Sequence, residues 1–141
     1  MRALTHLRLS VLTCGLIALT ACGDSKSTPI DVEPTAGVLT VYLESPHDDD
    51  GAVSIVLRGD GIENVEPSNA DHTLFVRRDE RDDSVLRIAL IGDELSGGVV
   101  KFAVTNVARL PEYSVELLEV ADEANRLRPS LVGYSVRVAQ Q

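Results

Sequence analysis

The sequence has 141 residues, 44% of them hydrophobic, which suffices for the core of one ordinary domain and excludes wholesale disorder. Its formal net charge of −9 disfavours nucleic acid and anionic lipid headgroups as partners, because like charges repel. With no Trp, three Tyr and two Phe, it offers few rings on which a sugar or base could stack, which weakens a carbohydrate-binding reading.

Along the chain, Arg2 and Arg8 flank a short basic start, and an uncharged apolar run extends from Leu9 to Ala21. That run is too short and too early for a comfortable membrane-spanning helix and has the layout of a secretory signal peptide over residues 1–21. It ends in Leu19-Thr20-Ala21-Cys22, which resembles the bacterial lipobox: a bulky aliphatic residue, two small residues, then cysteine. The resemblance implies a diacylglycerol thioether on the Cys22 sulfur, cleavage between Ala21 and Cys22, and acylation of the new amino terminus. Two or three acyl chains anchor stably in a membrane where one binds only marginally.

In enteric bacteria an acid directly after that cysteine resembles an inner-membrane retention signal. Here Gly23 intervenes before Asp24, so the expected address is the cell envelope, on the outer membrane if two are present. Removing residues 1–21 discards Arg2 and Arg8 and no acid, taking the net charge from −9 to −11. It also discards Cys14. With Cys22 lipidated, no cysteine is left for disulfides, thiol catalysis or a Cys-based zinc site.

Residues 22–37 form the expected tether. From Gly23 to Gly37 small, polar and Pro residues dominate without a sustained period, as in a flexible linker. The domain is expected over residues 38–141. There the pattern changes to short runs of period two, separated by Gly, Pro, Asn and Asp. Strands are expected over Val38–Glu44, Ala52–Arg58, Thr73–Arg77, Val85–Ile91, Val99–Thr105 and Tyr134–Val138.

Pro111–Pro129 is ambiguous. Tyr113, Val115 and Leu117 alternate like a strand, while Tyr113, Leu117, Val120, Ala124 and Leu127 also fit one helix face that Pro111 could begin. Because its neighbours are strands, the expectation is a strand over Tyr113–Val120 in an antiparallel meander, then a turn through Asp122–Asn125. The predicted fold is therefore all-β, an antiparallel two-sheet sandwich of about seven strands.

The stretches Leu86-Arg-Ile-Ala-Leu-Ile, Leu95-Ser-Gly-Gly-Val-Val-Lys-Phe-Ala-Val and Tyr113-Ser-Val-Glu-Leu resemble the later strands of cohesin-type sandwiches. This similarity covers about a third of the chain and supports the fold. No binding surface matches residue by residue, so the dockerin-binding role of cohesins is not carried over.

Among the polar constellations, Asp48-x-Asp50-Gly51 resembles the start of a calcium loop, where carboxylate oxygens surround a hard cation. The strand beginning at Ala52 excludes an EF-hand, and a looser calcium site on Asp48 and Asp50 would recruit Asp82 or Asp83. The plainer expectation is an acidic, solvated turn. Asp79-Glu80-Arg81-Asp82-Asp83, after Arg77 and Arg78, reads as a charged hairpin tip that guards a sheet edge or meets a partner.

His47 and His72 lack metal-binding spacing. Asp71 beside His72 has no nucleophile-elbow serine to serve, and adjacent strand residues point to opposite faces. Gly59-Asp-Gly61 lacks the helix of a phosphate loop. The expected function is thus a non-catalytic, lipid-anchored envelope domain serving interaction or structure, with a protein partner in the envelope. The alternative is a calcium-stabilised or carbohydrate-binding module.

Overall fold

The computed structural model describes residues 33–141. The expected signal peptide, Cys22 and most of the expected tether lie outside the described residues. Within them, each apolar alternation becomes a strand, because period-two spacing lets a strand bury one side and leave the other in water. The strands are β1 (Gly37–Glu44), β2 (Asp50–Arg58), β3 (Glu63–Pro67), β4 (Thr73–Arg78), β5 (Val85–Ile91), β6 (Gly97–Val104), β7 (Ser114–Asp122) and β8 (Ser135–Gln140). One sheet has the order β3-β6-β1-β8 and the other β4-β5-β2-β7. Every pairing is antiparallel.

The core lies between the sheets. Leu39, Val41, Leu43, Val100 and Phe102 from one sheet meet Val53, Ile55, Leu57, Leu86, Ile88 and Leu90 from the other, all buried. Removing each such side chain from water contributes roughly 1.5–3 kcal/mol, the main term opposing the conformational entropy of the chain.

The strand count differs from the expected seven by β3. This strand reads Glu-Asn-Val-Glu-Pro, with no apolar alternation, and Asn64 takes a left-handed φ of 46°. It is an edge strand paired only to β6, with a register shift between Glu63 and Glu66, so it needs little apolar character. The expected meander is also corrected. Only β4 and β5 pair as sequential neighbours, and the other connections cross between sheets. Tyr113–Val120 is a strand as expected, shifted to Ser114–Asp122, but it pairs with β2. Pro111 lies inside a 3-10 helix, Val107–Glu112, that precedes it; the Asn106 side chain accepts from the Ala108 N–H to cap its start.

At the end of β2 the chain turns through Gly59, whose φ is +152°. The Tyr113 ring lies so close that a Cβ there would come within 2.2 Å of its Cδ1. The same ring sits 5.7 Å from that of Phe102, and its hydroxyl donates to the Asp60 carbonyl at 2.9 Å. Gly59 is thus the place where backbone makes room for the aromatic plug closing this end of the core.

Candidate functional site

The acidic turn singled out by sequence opens β2. Asp48 is exposed, whereas Asp50 is 1% exposed. Asp50 Oδ1 accepts from Arg128 Nε at 2.9 Å and from the Tyr134 hydroxyl at 3.0 Å, and Oδ2 accepts from the Ser45 hydroxyl. Arg128 also bonds Asp49. Burial raises the Asp50 pKa, but the hydrogen bonds from Ser45, Arg128 and Tyr134 together hold it below the ordinary value.

Its partner across the β2–β7 ladder is Asp122, also buried. Asp122 Oδ1 accepts the Arg126 and Ala124 backbone N–H groups at 2.9 and 3.0 Å, and Oδ2 accepts Arg126 Nε at 2.8 Å. The Arg126 backbone N–H leads in depressing its pKa, against burial, with the Arg126 side chain adding to the effect. Each carboxylate is therefore closed by its own arginine, and the pair clamps the connection between β7 and β8 onto β2.

Asp82 and Asp83 do not join this turn. They lie in the β4–β5 connection, beside the Arg58–Val85 pairing at the far end of β2, which is eight residues and roughly 26 Å along the strand from Asp50. Asp82 Oδ1 instead accepts from the Ser84 N–H at 3.0 Å and the Ser84 hydroxyl at 2.6 Å. Among the described residues no group of three or more His, Cys, Asp or Glu is arranged to hold a metal ion. The His47 ring lies tilted against that of Tyr134, with centroids 5.9 Å apart. His72 covers Gly92 and sits with Nε2 3.1 Å from the Asp93 carbonyl, tying β4 to the end of β5, while the Asp71 N–H donates to Asn69.

A different feature stands out on the β4-β5-β2-β7 sheet. Its inward residues fill the core, and the alternate residues form an outer face whose rows follow from the register. Thr73, Ile91, Ala52 and Ala121 make one row; Phe75, Ala89, Ser54 and Glu119 the next; Arg77, Arg87, Val56 and Glu116 the third. Phe75 is 57% and Ile91 48% exposed, and Leu118, at the register shift in β7, is also exposed. Leu127, bridged to Ala121, is 65% exposed and extends the rim.

Between these rims the small side chains leave a shallow hollow of about 160 Å³ over Ala52, Ser54, Ala89 and Ala121. The opposite face of the sandwich is different: Tyr42 there stacks under the Arg137 guanidinium at 4.6 Å, and Lys101 lies between Thr40 and Glu66.

The charges on the outer face are also divided. Arg77 and Arg87 stand directly opposite each other on β4 and β5, an arrangement that costs stability. Arg77 has one exposed ion pair with Glu80 at 3.5 Å, and Arg87 has no ion pair among the described residues. Glu116 and Glu119 occupy the other rim, Glu116 within 3.5 Å of Arg58.

Sequence reasoning passed over this face. Its parity was readable, since Phe75 and Ile91 fall on the polar side of their own alternations. Their adjacency to Ala52 and Glu116 needs the lateral strand order, which no local pattern carries.

Compared with known proteins, the chain matches no family model, no curated protein and no solved structure. No helix among the described residues is long and apolar enough to cross a membrane.

Proposed function

We propose that this protein is a lipid-anchored envelope component that works by non-catalytic contact through the outer face of its β4-β5-β2-β7 sheet. The observation carrying this reading is that four of the seven large apolar side chains exposed among the described residues lie on or beside this face: Ile91 and Leu127 line the hollow, and Phe75 and Leu118 flank it on β4 and β7. Exposed apolar residues scattered singly are ordinary, whereas a contiguous patch rimmed by charge is the surface by which proteins meet partners. The two buried carboxylates support the non-catalytic half, because each is held ionised by its own arginine and hydrogen bonds. Neither is poised to exchange a proton near neutrality.

Anchoring rests on the Leu19-Thr20-Ala21-Cys22 motif after its apolar run. Cells given an alkyne fatty acid should label the protein at Cys22, and Cys22→Ser should lose the label and accumulate uncleaved precursor. Normal processing of that variant would remove the anchor from the account.

The contact surface has a separate test. A photo-crosslinking amino acid at Ile91 should give covalent adducts in intact envelopes, and the same group at Tyr42 on the opposite face should give few. Equal yields from both faces would refute the assignment. A calcium titration checks the competing reading of the acidic turn: millimolar calcium should leave the unfolding midpoint unchanged, because the Arg128 guanidinium already faces Asp50.

A further inference from the structure

We infer that the partner of this face is a second copy of the same chain, bound about a two-fold axis running parallel to the strands; the inference rests on reading the face as a contact surface. An axis in that direction, midway between β5 and β2, sends β4 of one copy over β7 of the other and β5 over β2, while each row stays at its own level. The row Arg77, Arg87, Val56, Glu116 then meets its own reverse. Arg77 of each copy lies over Glu116 of the other, at two symmetry-related places.

In the next row Phe75 comes over Glu119, beside the exposed Leu118, and in the last Ile91 comes over Ala52, at the hollow of about 160 Å³. In the last row a large residue faces a small one, and in the first a cation faces an anion. Self-complementarity of this kind is what an isologous interface requires. The two sheets would stack with their strand directions aligned, as sheets pack within a sandwich.

The pairing also relieves the unfavourable juxtaposition of Arg77 and Arg87 at Arg77. Within one chain these guanidiniums repel each other across the β4–β5 ladder, and Arg87 has no carboxylate partner among the described residues. Glu116 stands on the far rim of the same face, out of reach of Arg77 inside one molecule; in the pair it comes over Arg77 in addition to its contact with Arg58, and Arg87 lies beside it over Val56. The mature chain has a net charge of −11 after loss of residues 1–21, so most of its surface repels another copy. This face, with Arg58, Arg77 and Arg87 against Glu116 and Glu119, is locally not acidic.

Sedimentation of the full chain in detergent, with detergent mass matched out, tests the inference. The natural sequence should sediment as two chains at micromolar concentration. Arg77→Glu alone and Glu116→Arg alone should each weaken the pair about tenfold or more. Arg77→Glu combined with Glu116→Arg in one chain should restore it, because each reversed residue again meets its opposite. All four positions in the ion pairs are at the surface, and an unchanged far-ultraviolet spectrum confirms that each variant is folded.

A single-chain species across the whole range, or a double variant no tighter than the single ones, overturns the two-fold pair. If Ile91 then still crosslinks to a different protein, the contact surface stands and only its occupant changes. If Ile91 gives no more adduct than Tyr42, the contact surface falls as well.

Discussion

Replacing Asp50 by Ala should destabilise the domain by about 3 kcal/mol, because it removes the buried acceptor shared by the Arg128 guanidinium and the Tyr134 hydroxyl and leaves Arg128 only its outer partner Asp49. Arg128 is held by Asp50 and Asp49, and Tyr134 donates to the same Asp50 oxygen. Without the carboxylate, the connection from β7 to β8 loses its buried anchor on β2 and keeps only the outer Arg128–Asp49 pair and the Asp122 turn, while β8 pairs only with β1. A folded domain of this size has about 5–15 kcal/mol in hand, so the loss is a large part of the total. Urea unfolding measures it directly. Tyr134→Phe, which removes one hydrogen bond to the carboxylate, should cost only about 1.5 kcal/mol. A shift below about 1 kcal/mol for Asp50→Ala would mean that water replaces the clamp.

The same cluster sets the acid limb of stability. The folded-state pKa values of Asp50 and Asp122 both lie below the ordinary aspartate value of 3.8. A depressed folded pKa contributes stability that is fully present above the unfolded value and is lost as pH falls through the folded one. The unfolding midpoint should therefore be flat near neutrality and should drop once pH goes below 3.8. Asp50→Asn should show a shallower drop, since one of the two linked protons no longer contributes.

Gly59→Ala should be the second severe change, at about 3 kcal/mol. A methyl at this position would sit 2.2 Å from Tyr113 Cδ1, on a backbone with φ of +152°. The ring has to leave, and with it go its packing on Phe102 and its hydrogen bond to the Asp60 carbonyl. Gly61, also at positive φ, has only Thr105 Oγ1 at 3.9 Å from a built Cβ, so Gly61→Ala should cost less. Equal effects from the two would show that backbone conformation, and not the aromatic plug, governs the corner.

Much of the fold could be read from the alternation of residues. Val53, Ile55 and Leu57, or Leu86, Ile88 and Leu90, repeat at the period of a strand with one buried side, and they form the core as expected. The 3-10 helix and β3 could not be read this way. Val107–Glu112 buries none of its residues, and β3 is a polar edge strand, so neither leaves a periodic apolar trace.

The candidate site was legible only in part. Asp50 was marked by its neighbours, but the residue that meets it, Arg128, lies 78 positions away. Nothing local in the sequence predicts that contact. The outer face is assembled from four strands whose lateral order, β4-β5-β2-β7, comes from six crossings between the sheets. Parity placed Phe75 and Ile91 on the surface; only the sheet order placed them together.

Hydroxyl-radical footprinting tests the contact surface without altering a residue. Oxidation of Phe75 and Leu127 should be suppressed when the natural protein is labelled in its intact envelope, relative to the dilute purified protein, while Tyr42 is oxidised equally in both. Suppression at Tyr42 with Phe75 and Leu127 fully reactive would place the contact on the other sheet and contradict the account.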